Sequence, residues 1–222
     1  MMKVKNDERG FALLFTVLTI SILLLFAGLA TDFARLWVAR EDLRTAVDAA
    51  ALAGSLEAQR MVKITVGQGE WVCTTSADGV VSCSCEWKPP RTMTGAEAHL
   101  IDRGGWRQHR CDYFLGIERR WIEYPASART VAQETLDVNW PRFMRPEAGG
   151  AKTSESVEIF RSGSQYPSVR VRAAGTMDTT LLKVAGIESL AAADCGQAGT
   201  FYERIEGGRK QGENPPPGDA CP

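Results

Sequence analysis

Apolar residues run without a charge from Phe11 to Ala30, FALLFTVLTISILLLFAGLA. About 20 such residues at ~1.5 Å each match a hydrocarbon core of ~30 Å, so the pattern predicts a transmembrane helix over 11–30. Leu, Ile, Phe and Val dominate it and sum to roughly −5 kcal/mol of insertion energy before Thr, Ser and Gly subtract. The helical pattern does not stop at Asp32 and Arg35. Leu36, Ala39, Leu43, Val47, Ala50 and Gly54 recur at steps of three and four, while Arg40, Arg44 and Asp48 fall on another face. One long helix is therefore expected from residue 11 to residue 60, half in lipid and half beyond it, with Trp37 at the interface. Its second half is rich in Ala and Gly, which permits close approach. Ala39, Leu43, Val47, Ala50 and Gly54 are thus candidates for packing on their own domain and for contact with another subunit.

After this helix the period changes. MVKITVGQGEWVCTTSADGVVSCSCEW, residues 61–87, is rich in β-branched residues around an Asp78-Gly79 turn signal and predicts a hairpin. If Ala77-Asp78-Gly79 forms a three-residue loop with Gly79 in the left-handed region, Cys73 lies opposite Cys83 and a cross-strand disulfide is feasible. A two-residue Asp-Gly loop would shift that register. Residues 89–124 read as mixed loop and short helix, with solvated basic clusters at Arg107-Gln-His-Arg110 and Arg119-Arg120.

Pro125 opens a helix, ASARTVAQETLDV, with Ala128, Val131, Ala132, Thr135 and Val138 on one side, ended by Asn139 and Pro141. RPEAGGAKTS reads as a linker to a second hairpin, 156–160 with 168–174. There Val169, Val171 and Ala173 alternate with Arg170 and Arg172, and Glu158 is placed to face one of the arginines. A short helix over 180–184 with Leu181 and Leu182 inward, Gly186 after its end and a last strand near Leu190 complete the pattern. The tail from Ile205, with Gly207-Gly208 and Pro215 to Pro217, has too little apolar content to pack alone.

The fold class expected is α+β: a long N-terminal helix, half transmembrane, packed on a small antiparallel sheet and disulfide-stapled. The domain organisation expected is a cytoplasmic tail (1–10), transmembrane helix (11–30), exported helical continuation (31–60), periplasmic α+β domain (61–204) and Gly/Pro-rich tail (205–222).

Composition narrows the function. The 222 residues are 44% hydrophobic and 24% charged, and 26 Lys+Arg against 27 Asp+Glu leave a net charge of −1. This balance excludes a basic nucleic-acid binder and an acidic disordered tail. A mean hydropathy of −0.18 excludes a polytopic transporter. Lys3, Lys5 and Arg9 precede the span, so the positive-inside bias places the N-terminus in the cytoplasm and the bulk outside.

The six cysteines, Cys73, Cys83, Cys85, Cys111, Cys195 and Cys221, all follow the span and fit disulfides in an oxidising compartment, with Cys195 to Cys221 as one candidate bridge. A thiolate metal site at Cys83-Ser-Cys85 and His109-Arg-Cys111 with His99 is the rival, but neither spacing is that of a zinc knuckle, and no metal is expected. Three fates of the span stay open: cleavage after Ala30 as a signal peptide, cleavage after Gly10 as a prepilin leader, and an uncleaved anchor, which the sequence favours. No G-x-S-x-G elbow, phosphate-binding loop or H-E-x-x-H occurs, so neither catalysis nor a cofactor nor a small-molecule substrate is expected.

The ordered features Arg9-Gly10, the apolar span, Asp32, Arg35-Leu36, Arg40, Leu43 and the run Asp48-Ala-Ala-Ala-Leu-Ala-Gly54 resemble the N-terminus of the TadE/TadG-like proteins of the tight-adherence (Tad/Flp) pilus system. SARTVAQETLDVN and VRVRAAGTMDTTLLKVAGIESLAAAD resemble that family's middle helix and closing strand, short helix and strand. The resemblance implies that the α+β fold is pilin-like, in a single-pass inner-membrane protein whose periplasmic domain acts as a minor pilin or assembly subunit supporting adhesion, with other pilus proteins and the lipid bilayer as partners. Phe15 stands where a processed pseudopilin carries Glu, and the von Willebrand type A domain of longer TadG proteins is absent, so no metal-dependent adhesion residues are carried over. The alternative is a secreted or anchored disulfide-rich binding module, unrelated to pili, that captures a ligand through the segment from Cys73 to Cys111.

Overall fold

The computed structural model describes residues 8–200, 204–206, 209–211 and 221. Lys3 and Lys5 of the expected cytoplasmic tail, and Gly207-Gly208 and Pro215 to Pro217 of the expected C-terminal tail, lie outside the described residues. The class is α+β: one long helix, two small antiparallel sheets and three disulfides. Helix α1 runs unbroken over Glu8–Leu56. The strand orders are β2-β1-β3 (Gln59–Thr75, Val81–Ala96 and Tyr113–Glu123 being β1, β2 and β3) and β4-β5-β6 (Ala151–Phe160, Ser168–Asp178 and Ser189–Gly199). A second helix, α2, spans Ser127–Val138, and a short ribbon pairs β7, Arg204–Glu206, with β8, Arg209–Gln211. That ribbon lies almost wholly in the tail from Ile205, expected to have too little apolar content to pack alone, and is held by cross-strand backbone pairing.

Two compact units divide the chain. The first comprises Met1–Ala49, Thr135–Ser156 and Val171–Gly196. Its buried side chains include Leu43 and Val47 of α1, Leu136 of α2, Met144, and Val171 and Met177 of β5. Strand β6 approaches α1 closely at Gly196, where an added Cβ would lie 2.6 Å from the carbonyl carbon and oxygen of Val47. Residues 145–154, expected as a linker, are instead folded. Two 3-10 turns, Arg142–Met144 and Pro146–Ala148, bury Met144, and Trp140 donates its indole N–H to the Met144 carbonyl at 3.0 Å. Lys152 then joins Asp137 and Glu155 and lies over the Trp140 ring. Glycine and proline here make turns rather than slack.

The second unit comprises Ala50–Glu134, Val157–Arg170 and Gln197–Pro222. The hairpin β1–β2 has the register expected of a three-residue loop. Ser76 N–H donates to Val80 O at 3.0 Å, Gly79 sits at φ +76°, and Cys73 faces Cys83. Beyond it the structure departs from expectation. Strand β2 continues to Ala96 straight through Pro89-Pro90, and the partner register jumps from Gln68↔Lys88 to Val66↔Arg91. The two prolines form a bulge on an edge strand, where missing N–H groups cost no ladder bonds.

Strand β3 also lies where loop is expected. Its charges are cross-strand partners rather than loop signals: Glu118 pairs with Lys63 at 2.5 Å and accepts from Thr65. Val62, Ile64 and Val66 of β1 form a core with Leu100, which a one-turn π-type helix, Ala98–Asp102, carries in.

In this unit the end of α1 meets α2. A Cβ on Gly54 would stand 3.1 Å from the Ala128 carbonyl, the Ala132 Cβ and the Val169 Cγ1. On α2 the buried line is Ala128, Ala132 and Leu136, whereas Val138, expected on that face, is exposed. A strict i, i+4 line outcompetes the expected face because the helix ends one residue after Asp137, which frees Val138. In β5 Val169, Val171 and Ala173 are buried as expected. Arg170 is buried as well, with its guanidinium 4.4 Å above the Phe160 ring and 3.9 Å from the Glu158 carboxylate.

Candidate functional site

Helix α1 changes environment along its length. Every residue from Phe11 to Ala27 is exposed, although most are Leu, Ile, Phe and Val. The polar side chains in that stretch satisfy themselves: Thr16, Thr19 and Ser21 each donate to the carbonyl four residues earlier, at 2.8 to 2.9 Å. This is how hydroxyls are accommodated where no water is available. The helix is long and apolar enough to cross a membrane.

Further on, Ala39, Leu43, Val47, Ala50 and Gly54 lie on one face, and all five are buried within the chain. Small residues on that face let Gly196 and Ala132 approach the helix backbone. Away from them, Trp37, Leu52 and Leu56 remain exposed, and Phe33 is exposed on the flank.

Between these halves lies a polar lock in the first unit. Asp32 is fully buried. Its Oδ1 accepts from the Thr180 N–H at 3.0 Å, and its Oδ2 accepts from the N–H groups of Leu181 at 2.9 Å and Leu182 at 2.8 Å. Arg35, one turn on, donates to the Thr180 hydroxyl, lies 3.8 Å from Asp32 and stacks over Phe143 at 5.1 Å.

The loop that supplies these donors is a 3-10 turn, Leu182–Ala185, ended by Gly186 at φ +82° and closed at its base by the Thr179 N–H donating to the Glu188 carbonyl. Leu182 points inward as expected. Leu181, expected inward too, is 45% exposed, with its side chain against Gly28, where an added Cβ would meet Leu181 Cδ1 at 2.6 Å.

The second unit holds a second buried carboxylate. Asp112 accepts from the Gln108 and His109 N–H groups, both at 2.9 Å, and from Arg91 at 3.2 Å. Arg91 also reaches the Gln108 side chain and the Trp106 carbonyl. Burial opposes the charge of Asp112, but the two backbone donors and the arginine outweigh it and hold the carboxyl below its usual range. The knot is clamped by the Cys85–Cys111 disulfide, and the hairpin tip by Cys73–Cys83. Cys195 and Cys221 are also oxidised, so no cysteine is free.

Beside this clamp a shallow cavity of about 360 Å³ is lined by Glu70, Trp71, Lys88, His109 and Arg110. Lys88 pairs with Glu70, and Arg110 covers the Trp71 ring at 4.5 Å. Among the described residues, no three His, Cys, Asp or Glu side chains are grouped to hold a metal ion. The arginines expected as solvated clusters instead make contacts: Arg107 lies over Trp106, Arg110 over Trp71 and Arg119 over Trp121, and Arg120 pairs with Glu97. Arg91, which the sequence did not single out, organises the loop around Asp112.

The chain is thus α+β, with one long helix that passes from an uncovered apolar half, through a polar lock, to a small-residue core. Comparison with known families makes this specific: residues 10–60 match the family model described as putative Flp pilus-assembly TadE/G-like. The resemblance carried by Asp32, Arg35, Arg40, Leu43 and residues 48–54 is therefore borne out over that segment as a match to the family model. No curated protein and no solved structure matches the chain.

Proposed function

We propose that this protein is a membrane-anchored, pilin-like component of Tad/Flp pilus assembly, acting as a minor pilin or assembly subunit that supports adhesion. The observation that carries the reading is the coincidence of the matched segment, 10–60, with one unbroken helix. Residues 11–30 cross the inner membrane as an uncleaved anchor, the N-terminus is cytoplasmic, and the bulk is periplasmic, where oxidised cysteines persist. The role is structural rather than catalytic. Because Ala39, Leu43, Val47, Ala50 and Gly54 are buried within the chain, pilin-like partners are met by the other side of α1, at Trp37, Leu52 and Leu56.

The test is the N-terminus and intact mass of the mature protein, taken from membrane and sheared-surface fractions under non-reducing conditions. A start at Met1 or Met2 in the membrane supports the anchor and the assembly role. A start at Phe11 in the sheared fraction identifies a processed subunit that enters the filament. A start at Thr31 overturns the anchor and leaves a secreted, disulfide-rich binding module.

A further inference from the structure

The loop between β5 and β6 leaves three apolar side chains largely exposed. Val184 is 82% exposed, Leu181 45% and Ile187 44%. Single exposed apolar residues are ordinary, but three in one closed loop beside an apolar helix are a patch that needs a cover. The position of the loop is fixed by two contacts. Leu181 packs on Gly28, two residues before the end of the apolar run, and the Leu181 and Leu182 N–H groups hold Asp32, two residues after it. At a rise of ~1.5 Å per residue, the loop is pinned within about 3 Å of the height at which the apolar run ends.

We propose that loop 180–187 is a second membrane contact, a wedge that inserts Leu181, Val184 and Ile187 into the outer edge of the bilayer beside the helix. The proposal rests on the reading of 11–30 as a transmembrane helix. On the helix face that meets the loop, the exposed Leu24 and Leu25 lie one turn before Gly28, so the apolar surface of the span leads directly to Leu181. This continuity is why lipid, rather than a second copy of the chain, is the occupant. Lys183, about half exposed beside Asp178 at 3.8 Å, is the loop's cation and the group that lipid phosphates would meet.

The wedge also explains Asp32. A carboxylate at the edge of the hydrocarbon loses hydration, and three backbone N–H groups of the inserted loop replace the water it gives up. The loop and the helix therefore enter the bilayer edge as one hydrogen-bonded body, and the first unit sits on the membrane surface rather than swinging on a free stalk.

Photocrosslinking of the full chain in phosphatidylethanolamine and phosphatidylglycerol vesicles tests this, with p-benzoylphenylalanine replacing Ile20, Val184 or Val138 one at a time. All three are exposed, so folding is spared. Lipid adducts at Ile20 and at Val184, several-fold above those at Val138, are the expected result. Adducts at Ile20 but only background at Val184 overturn the wedge and leave the span standing. No adduct at Ile20 overturns the span and the wedge with it. A crosslink from Val184 to a second chain shows that the patch is an interface between copies and overturns the lipid assignment.

Discussion

Asp32 accepts a 2.8 Å hydrogen bond from the backbone N–H of Leu182, a residue 150 positions away, with its carboxylate wholly removed from solvent. Two more N–H groups converge on the same carboxylate. The end of the apolar helix is thereby tied to the β5–β6 loop through backbone donors, so the lock depends on the shape of the loop and on one acidic side chain.

Removing that side chain leaves three donors in a buried site. Asp32→Ala is expected to cost roughly 2–4 kcal/mol, because buried hydrogen bonds to a charged group are worth more than neutral ones and the orphaned N–H groups stay desolvated. Asp32→Asn does not rescue fully, since its amide N–H2 faces donors. Thermal unfolding of the full chain in detergent reads the loss, and trypsin cleavage at Lys183 should accelerate as the loop is released. Unchanged melting and unchanged cleavage would show that the lock contributes nothing.

The two mapped disulfides should differ in consequence. Cys73–Cys83 closes a sequence separation of 10 and Cys85–Cys111 one of 26, for which chain-entropy arguments give about 3 and about 3.5 kcal/mol. The sites of the two losses differ more than their sizes. The first bridge lies near the exposed tip of the hairpin, where Thr74 to Ser82 are all exposed, so Cys73→Ser paired with Cys83→Ser should fray the tip and lower the melting of the unit less than loss of the second bridge does. The second bridge holds the loop that Asp112 organises, so Cys85→Ser paired with Cys111→Ser should lower the melting temperature of the unit. Hydrogen exchange of residues 98–112 in both double variants discriminates the two effects.

How far the sequence foretold this depends on the range of the interaction. The Cys73–Cys83 pairing was legible because a single local feature, Gly79 in a three-residue loop, sets the register. Helix α1 was legible because its periodicity runs through both halves. Strand β3 was not, because Glu118, Arg119 and Arg120 look like loop residues until Lys63 and Thr65 are placed across from Glu118. The extension of β2 was hidden by Pro89-Pro90, whose tolerance depends on an edge position that is known only once the strand order is known. Asp32 stood out beside the span, but its partners are backbone groups with no side-chain signature. Nor did anything local mark Arg91 as the organiser of Asp112.

Acid should release the Asp112 knot. Its folded carboxyl is held below the ordinary value of 3.8, so ionised Asp112 contributes its full stabilisation above that value. The contribution is lost as the pH falls below 3.8 and through the lowered folded pKa, because the folded state then takes up the proton that the unfolded state bound earlier. Asp112→Asn removes this dependence. Melting curves of the chain and of the variant between pH 6 and pH 2 should be furthest apart at pH 6 and converge in acid. A gap that stays constant with pH would rule out an ionised, stabilising Asp112.

The buried stripe on α1 gives the prediction that bears most directly on assembly. Ala50 has no exposed surface, and its neighbour on the same face, Gly54, leaves 3.1 Å between an added Cβ and Ala132. Ala50→Glu therefore places a carboxylate in a site with no exposure to solvent. The expected cost is on the order of 3–5 kcal/mol, enough to unfold a domain of ordinary stability. Leu52 lies two residues away, exposed on the other side of the helix. Leu52→Glu should leave melting within about 0.5 kcal/mol of the parent, as surface changes usually do, while reducing co-purification with pilin-like partners. The pair separates core from contact: a folded Ala50→Glu chain that loses its partners would return the stripe to the subunit interface. An unfolded Ala50→Glu chain beside a folded Leu52→Glu chain that has lost them places the interface on the outward face.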